Sequence, residues 1–170
     1  MTSFGSTAGD VLYLVVCAAT GAEHTVERVR REQADGWDVC VVATPLALTW
    51  FDPAAVTETS GHMIQSRMRT YGEPLFQPLG DAVTVAPASF NTINKVAVGM
   101  ADNMATGLIC EALSRGVPVA MEPSVGDGFA AHPAFAAHVA TLRRGGVTFH
   151  WAKPGHDPAR AEPGGDRPPS

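Results

Sequence analysis

Three places in this chain set a small hydroxyl residue where a strand gives way to a helix. Residues 82–86, Ala-Val-Thr-Val-Ala, read as a short buried strand, which Pro87-Ala88-Ser89 breaks before Phe90-Asn91-Thr92 opens a helix. Thr44-Pro45 ends a second apolar run at 38–44, and Thr20 stands in the small-residue turn Ala18-Ala19-Thr20-Gly21-Ala22 that follows a third at 11–17. The chemistry open to such a turn is anion binding. The first N–H groups of a helix lack acceptors, the dipole is positive there, and the hydroxyls add donors. Each hydroxyl taken singly reads equally as a helix cap. Their recurrence in one sheet points to a phosphate-bearing cofactor at the carboxyl ends of the strands. The first turn has one glycine and not G-x-G-x-x-G, and no acid ends the second strand at Thr44. That pattern disfavours a dinucleotide, whereas a mononucleotide needs only the phosphate contact.

The segment Pro87-Ala88-Ser89-Phe90-Asn91-Thr92, with Ala101-Asp102-Asn103 after it, resembles the PASANT motif and following ADN of the homo-oligomeric flavin-containing cysteine decarboxylases. That family includes phosphopantothenoylcysteine decarboxylase and the peptidyl-cysteine decarboxylases of lantibiotic biosynthesis. Phe90 alone departs from the motif, and a weaker resemblance extends from about Val11 to Phe149. The resemblance implies FMN, a Rossmann-like (flavodoxin-like) fold and assembly into trimers or multiples of trimers. It carries cofactor contacts onto Thr20, Gly21 and Ala22, onto Thr44, and onto Ser89, Phe90, Asn91 and Thr92. Ala22 replaces the family's usual serine, so backbone N–H groups must supply that phosphate contact.

The resemblance also shows departures. The family's histidine, eight residues before the acid that opens the motif strand, falls here on Glu73, which becomes the candidate catalytic residue. His62 is the nearest histidine upstream. In place of the family's Pro-x-Met-Asn-x-x-Met-Trp clamp stands the run from Pro123 to Ala130, with Gly126 for the asparagine that holds the substrate carboxylate. Flavin prenyltransferases carry an arginine after this strand, where Met121-Glu122 stands. The resulting expectation is an FMN-binding, decarboxylase-like enzyme for a non-standard small-molecule or peptide substrate, with Arg67, Arg69 or Glu73 recruited from a long loop. A flavin-binding protein without turnover, or a prenyltransferase-like enzyme, is the alternative.

The elements that would position these residues follow from the rest of the chain. At 170 residues, 45% apolar and 17% charged, the chain has the length and composition of one α/β domain with a single core. The net charge of −5, with Arg28, Arg30 and Arg31 the one basic cluster, argues against nucleic acid. No apolar run approaches a membrane span, and no basic region precedes an apolar one at the start, so a cytoplasmic protein is expected. Cys17, Cys40 and Cys110 are too far apart for a CxxC metal site and odd in number, so they read as small buried apolar residues and no metal is expected.

Strands at 11–17, 38–44, 82–86, 117–121 and 147–151 alternate with helices at 23–34, 46–51, 90 onward through 115, and 133–144, which predicts a doubly wound parallel sheet. Residues 53–80 read as a long loop, with a short strand or ordered stretch within 56–65. Ala97, Gly99, Ala101 and Ala105 read as a small-residue face on the central helix, suited to close packing. Residues 1–9 are expected to be loose, 10–152 to form the FMN-binding domain, and 153–170, rich in Pro, Gly and charge, to be a disordered tail.

Overall fold

A computed structural model of the chain describes residues 9–72, 80–152 and 157–158. Its centre is β1 (Val11–Val16), whose six residues are all buried because helices cover the sheet on both faces. Around it stand β2 (Asp38–Ala43), β3 (Ala82–Ala88), β4 (Val119–Pro123) and β5 (Val147–Phe149). The order is β2-β1-β3-β4-β5 and every pairing is parallel. This is the doubly wound, flavodoxin-like arrangement, in which the strand order reverses between β1 and β3.

Alternation along the strands divides the core. Leu12, Leu14, Val16, Val39, Val41 and Ala86 face α1 (Thr25–Ala34) and α2 (Pro53–Ser60), which contribute Val29 and Val56. Val15, Val83, Val85, Val119 and Met121 face the opposite way. There they meet α3 (Phe90–Ala97), α4 (Met104–Ser114) and α6 (Pro133–Arg144) through Ile93, Ile109 and Phe135. A one-turn helix, α5 (Asp127–Ala130), precedes α6.

Several boundaries differ from expectation. Pro87 does not end the third strand; β3 runs through the cis Ala86–Pro87 bond to Ala88, and its pairing with β4 shifts register there. Proline has no N–H to give the ladder, so a slip replaces a stop. The stretch after 53 is not loop throughout. Asp52 accepts hydrogen bonds from Ala54 N (2.9 Å) and Ala55 N (3.3 Å), Pro53 fills the first helical position, and α2 follows to Gly61, at φ 75°. Gln65 then bridges Val42 at the sheet edge.

The central helix is two helices. Gly99 takes φ 73°, and Asn103 opens α4 with a capping box, its Oδ1 accepting from Thr106 N at 3.1 Å. Ala97, Gly99 and Ala101 therefore span a turn and form no helix face. Between 23 and 34 the helix proper starts at Thr25, after a 3-10 turn at Ala22–His24. Of the expected tail only 157–158 are described, and Asp157 there is bound by Arg143 Nη2 at 2.9 Å to both carboxylate oxygens.

Candidate functional site

The carboxyl ends of β1, β3 and β4 lead into three loops that enclose a cleft of about 560 Å³. The first loop brings Thr20, the second Ser89, Phe90 and Asn91, and the third Val125 and Gly126, with Trp50 and Phe129 on the walls. Such a volume lies within the range of small-molecule sites, about 300–1,000 Å³. The cleft thus gathers four of the eight expected cofactor residues.

The floor is the start of α3. Ser89 caps it twice: its carbonyl accepts from Ile93 N at 3.0 Å, and its Oγ from Thr92 N at 3.3 Å. The N–H groups of Phe90 and Asn91, the first two of the helix, have no acceptor within it. They are the donors this helix end presents to an anion.

Behind Ser89 lies a buried chain of hydrogen-bonding groups. The Cys17 thiol donates to Thr92 Oγ1 at 3.2 Å, and Thr92 Oγ1 is 3.2 Å from Ser89 Oγ. Burial pushes the Cys17 thiol pKa up, against the opposing pull of the hydrogen bonds from Thr92 and Ser89, so Cys17 stays an S–H donor. Ser89 Oγ donates to Thr92 Oγ1, which thus accepts from both the thiol and Ser89 and fixes the direction of the Ser89 hydroxyl. Thr92 is only 3% exposed and acts through Ser89.

The remaining expected residues sit differently. Thr44 is partly buried and its N–H donates to Val16 O at 2.9 Å; it opens the 3-10 turn Pro45–Thr49, and Trp50, not Thr44, reaches the cleft. Ala22 is buried, its N–H spent on Ala19 O at 3.0 Å. Gly21, at φ 104°, gives its N–H to Glu23 Oε2 at 2.8 Å. A hydrogen bond from its own N–H, and then the one from Gly21, hold the Glu23 carboxyl below the usual range. The first loop binds an anion already, and it is the chain's own.

His62 is remote from the cleft. Its Nε2 lies 2.7 Å from Asp38 Oδ1, at the amino end of β2, opposite the strand ends that form the site. Arg67 and Arg69 line no part of the cleft. Glu73 lies outside the described residues.

A second cavity of about 700 Å³ lies on the α1 side of the β3–β4–β5 ends. Its main charges are paired. Arg28 Nη1 donates to Glu122 Oε2 at 2.6 Å, Nη2 donates to Glu122 Oε1, and Nε donates to the buried Glu32 at 2.9 Å. Burial raises the Glu122 carboxyl pKa, yet the Arg28 hydrogen bonds and charge outweigh it and the net direction is down. The smaller cleft, with open helix donors and apolar walls, is the better candidate for the functional site.

The donor set of the cleft suits a phosphorylated aromatic cofactor. Its described lining has no Lys, Arg or His, and the donors it offers an anion are N–H groups and hydroxyls. Trp50 and Phe90 offer apolar area to a planar ring.

A doubly wound sheet with a hydroxyl-lined cleft at its switch point has its cleft where open α/β domains bind their ligands. The family model described as Flavoprotein matches residues 8–164, and the chain belongs to that family. The coenzyme A biosynthesis bifunctional protein CoaBC of Escherichia coli (strain K12) is 31% identical over 126 residues, covering 71% of this chain and 30% of that protein. With 36% for the counterpart in Vibrio vulnificus (strain YJ016), the chain spans about a third of the length of the curated relatives it matches. The fold is similar to that of the FMN-dependent cysteine decarboxylase SpaF, with TM-score 0.73 and 20% identity over 84% of this chain and 83% of that one. It is also similar to a mutant PPC decarboxylase complexed with pantothenoylaminoethenethiol, with TM-score 0.67 and 20% identity over 84% and 81%.

Trp50, Phe129 and the Arg28–Glu122 pair carry no motif. The signal for the first two was positional: each lies just beyond a strand's carboxyl end, where ligands of such sheets bind.

Proposed function

We propose that this chain binds FMN in the 560 Å³ cleft and acts as a decarboxylase-like flavoenzyme on a substrate other than those usual for the cysteine decarboxylases. The observation that carries the reading is the start of α3. There a Ser89-capped helix with two open N–H groups faces the cleft, inside a Pro-Ala-Ser-Phe-Asn-Thr segment. Membership of the Flavoprotein family and the FMN named for SpaF support the cofactor.

Ser89 and the N–H groups of Phe90 and Asn91 would hold the phosphate, and Thr92 positions Ser89. Thr20 and Gly21 would close the first loop over the cofactor once Glu23 swings out, with Ala22 setting the turn and Thr44 the second strand end. The Phe90 ring would flank the cofactor. A bound flavin supplies a two-electron acceptor for thiol oxidation beside the carboxylate that is lost. Glu73 is proposed, on family spacing alone, as the group that handles the proton. Asp127 is the one carboxylate, and no histidine is found, among the described residues lining the cleft. That observation favours the second reading, a flavin-binding protein without turnover of its own.

Two further proposals come from the family. The chain is a homo-oligomer, a trimer or a multiple of trimers, and it works in the cytoplasm, where three free cysteines suit reducing conditions. Among the described residues no helix is long and apolar enough to cross a membrane.

The test of the cofactor is the absorbance spectrum and mass of whatever purified protein releases on denaturation. FMN is expected; FAD, or a colourless protein that FMN does not restore, overturns the reading. Activity is tested by mass spectrometry of cysteine-ended peptides and phosphopantothenoylcysteine, seeking loss of carbon dioxide and two hydrogens. Slow or no turnover of both is expected, because Gly126 offers no side-chain donor to the carboxylate.

A further inference from the structure

Gly126 stands where the backbone asks nothing of a glycine. Its φ of −69° and ψ of 152° are open to any residue. A Cβ placed on it would meet nothing within 4 Å, so no neighbour excludes a side chain. What the missing side chain does leave is open volume in the cleft.

The walls around that volume carry two uncovered aromatic rings beside the polar Ser124 and Asp127. Phe129 is 62% exposed and Trp50 42%, and both line the cleft. Phe129 sits 5.0 Å, centroid to centroid, from Phe90, which is braced from behind by Phe135 at 5.5 Å and His132 at 5.8 Å. Phe135 is fully buried, so Phe90 is backed by the core. Exposed ring surface in a cleft is surface for a ligand to cover, because taking apolar area out of water is favourable. With Asp127 the one charged side chain of the described lining, the end of the cleft near Gly126 repays neither an anion nor a strongly hydrated group.

We propose that Gly126 is a specificity-determining position, which opens the cleft to a bulky, uncharged apolar group of the substrate. In a cysteine-ended peptide this is the side chain before the cysteine, an aromatic or branched one, lying on Phe129. The inference rests on the proposed function for the identity of the reacting end; the binding preference itself stands on the shape and chemistry of the cleft.

The experiment is calorimetric titration of the purified protein, with whatever cofactor it carries, using N-acetylated Phe-Cys and Ala-Cys under reducing conditions. Phe-Cys is expected to bind about tenfold more tightly or better, within the range by which apolar pockets discriminate. Gly126→Leu should reduce that ratio to roughly threefold or less, and Phe129→Ala should weaken Phe-Cys about fivefold with little change for Ala-Cys. Equal affinities in the unaltered protein, no measurable binding of either peptide, or a preference that survives both substitutions overturns the inference. So does a large loss of flavin affinity in Gly126→Leu, which gives the space to the cofactor ring. A change of mass by light scattering in Phe129→Ala gives the ring to a second copy and also overturns it. A colourless protein that still prefers Phe-Cys sinks the cofactor reading and leaves this inference standing; a yellow protein without the preference does the reverse.

Discussion

At the scale of single residues, Ser89 has two duties that separate experimentally. It caps α3 through Thr92 N at 3.3 Å, and it borders the cleft. Ser89→Ala is expected to cost about 1 kcal/mol of stability from the lost cap. If the hydroxyl also meets a phosphate, FMN affinity falls by a further 1–3 kcal/mol or so. An unchanged FMN affinity, measured by fluorescence titration, would leave Ser89 a cap alone. Cys17 gives a sharper test, because it touches no ligand. Its thiol donates to Thr92 Oγ1 at 3.2 Å, the same oxygen to which Ser89 Oγ donates. Cys17→Ala should weaken FMN by several-fold, roughly 1 kcal/mol, with riboflavin unaffected, and Cys17→Ser should restore it. Equal losses for FMN and riboflavin would mean a packing defect. Glu23 supplies the opposite effect. Its carboxylate occupies Gly21 N–H, so Glu23→Gln should tighten FMN about two- to fivefold at low salt, and less at high salt.

At the scale of elements, α1 is tied to β4 by charge. Arg28 joins the buried Glu32 of its own helix to Glu122 at the end of β4, and its side chain is 16% exposed against 1% for Glu32. Arg28→Met strands Glu32 without its closest donor and should cost about 3–5 kcal/mol in urea denaturation. The pH dependence has a fixed sign. The Glu122 carboxyl pKa is depressed in the folded chain below its ordinary value of 4.5, so its contribution to stability is present above that pH and lost as pH falls through the folded value. Melting temperature should therefore drop on acidification below about pH 4.5, and Glu122→Gln should flatten part of that drop. A variant with the same acid slope as the parent would show that other carboxylates carry it.

At the scale of the whole molecule, several large apolar side chains stand exposed away from the cleft. Met63, Met68 and Tyr71 are exposed along the segment beyond α2, and Val98 and Met100 along the turn beyond α3. They are the kind of surface that subunits cover, and light scattering should find an oligomer that releases subunits and flavin together on dilution. A flavin-loaded monomer would contradict this. The small-residue helix face expected at Ala97, Gly99 and Ala101 supplies no such surface, since Gly99 breaks the helix there.

The sequence by itself determined the alternation of strands and helices, the parallel sheet, and the hydroxyl at the start of α3. Those features are written in local signals: apolar runs that need cover on both faces, glycine and proline boundaries, and a near-complete motif. It did not show α2, whose main evidence was Asp52-Pro53 with little apolar period, nor the break before α4, where Gly99 and Asn103 override an otherwise helical stretch. Of the eight expected cofactor residues, Thr20, Ser89, Phe90 and Asn91 meet in one cleft, while Thr92 turns inward to Cys17, 75 residues away in sequence. Only the tertiary structure decided which hydroxyls face the cleft, and that Trp50 and Phe129 share it with them. Side-chain direction at a loop depends on how distant strands pair and where each helix starts, and no local pattern encodes that. Adjacency between β1 and β3, 70 residues apart at Leu12 and Ala82, is set by the packing of the whole sheet.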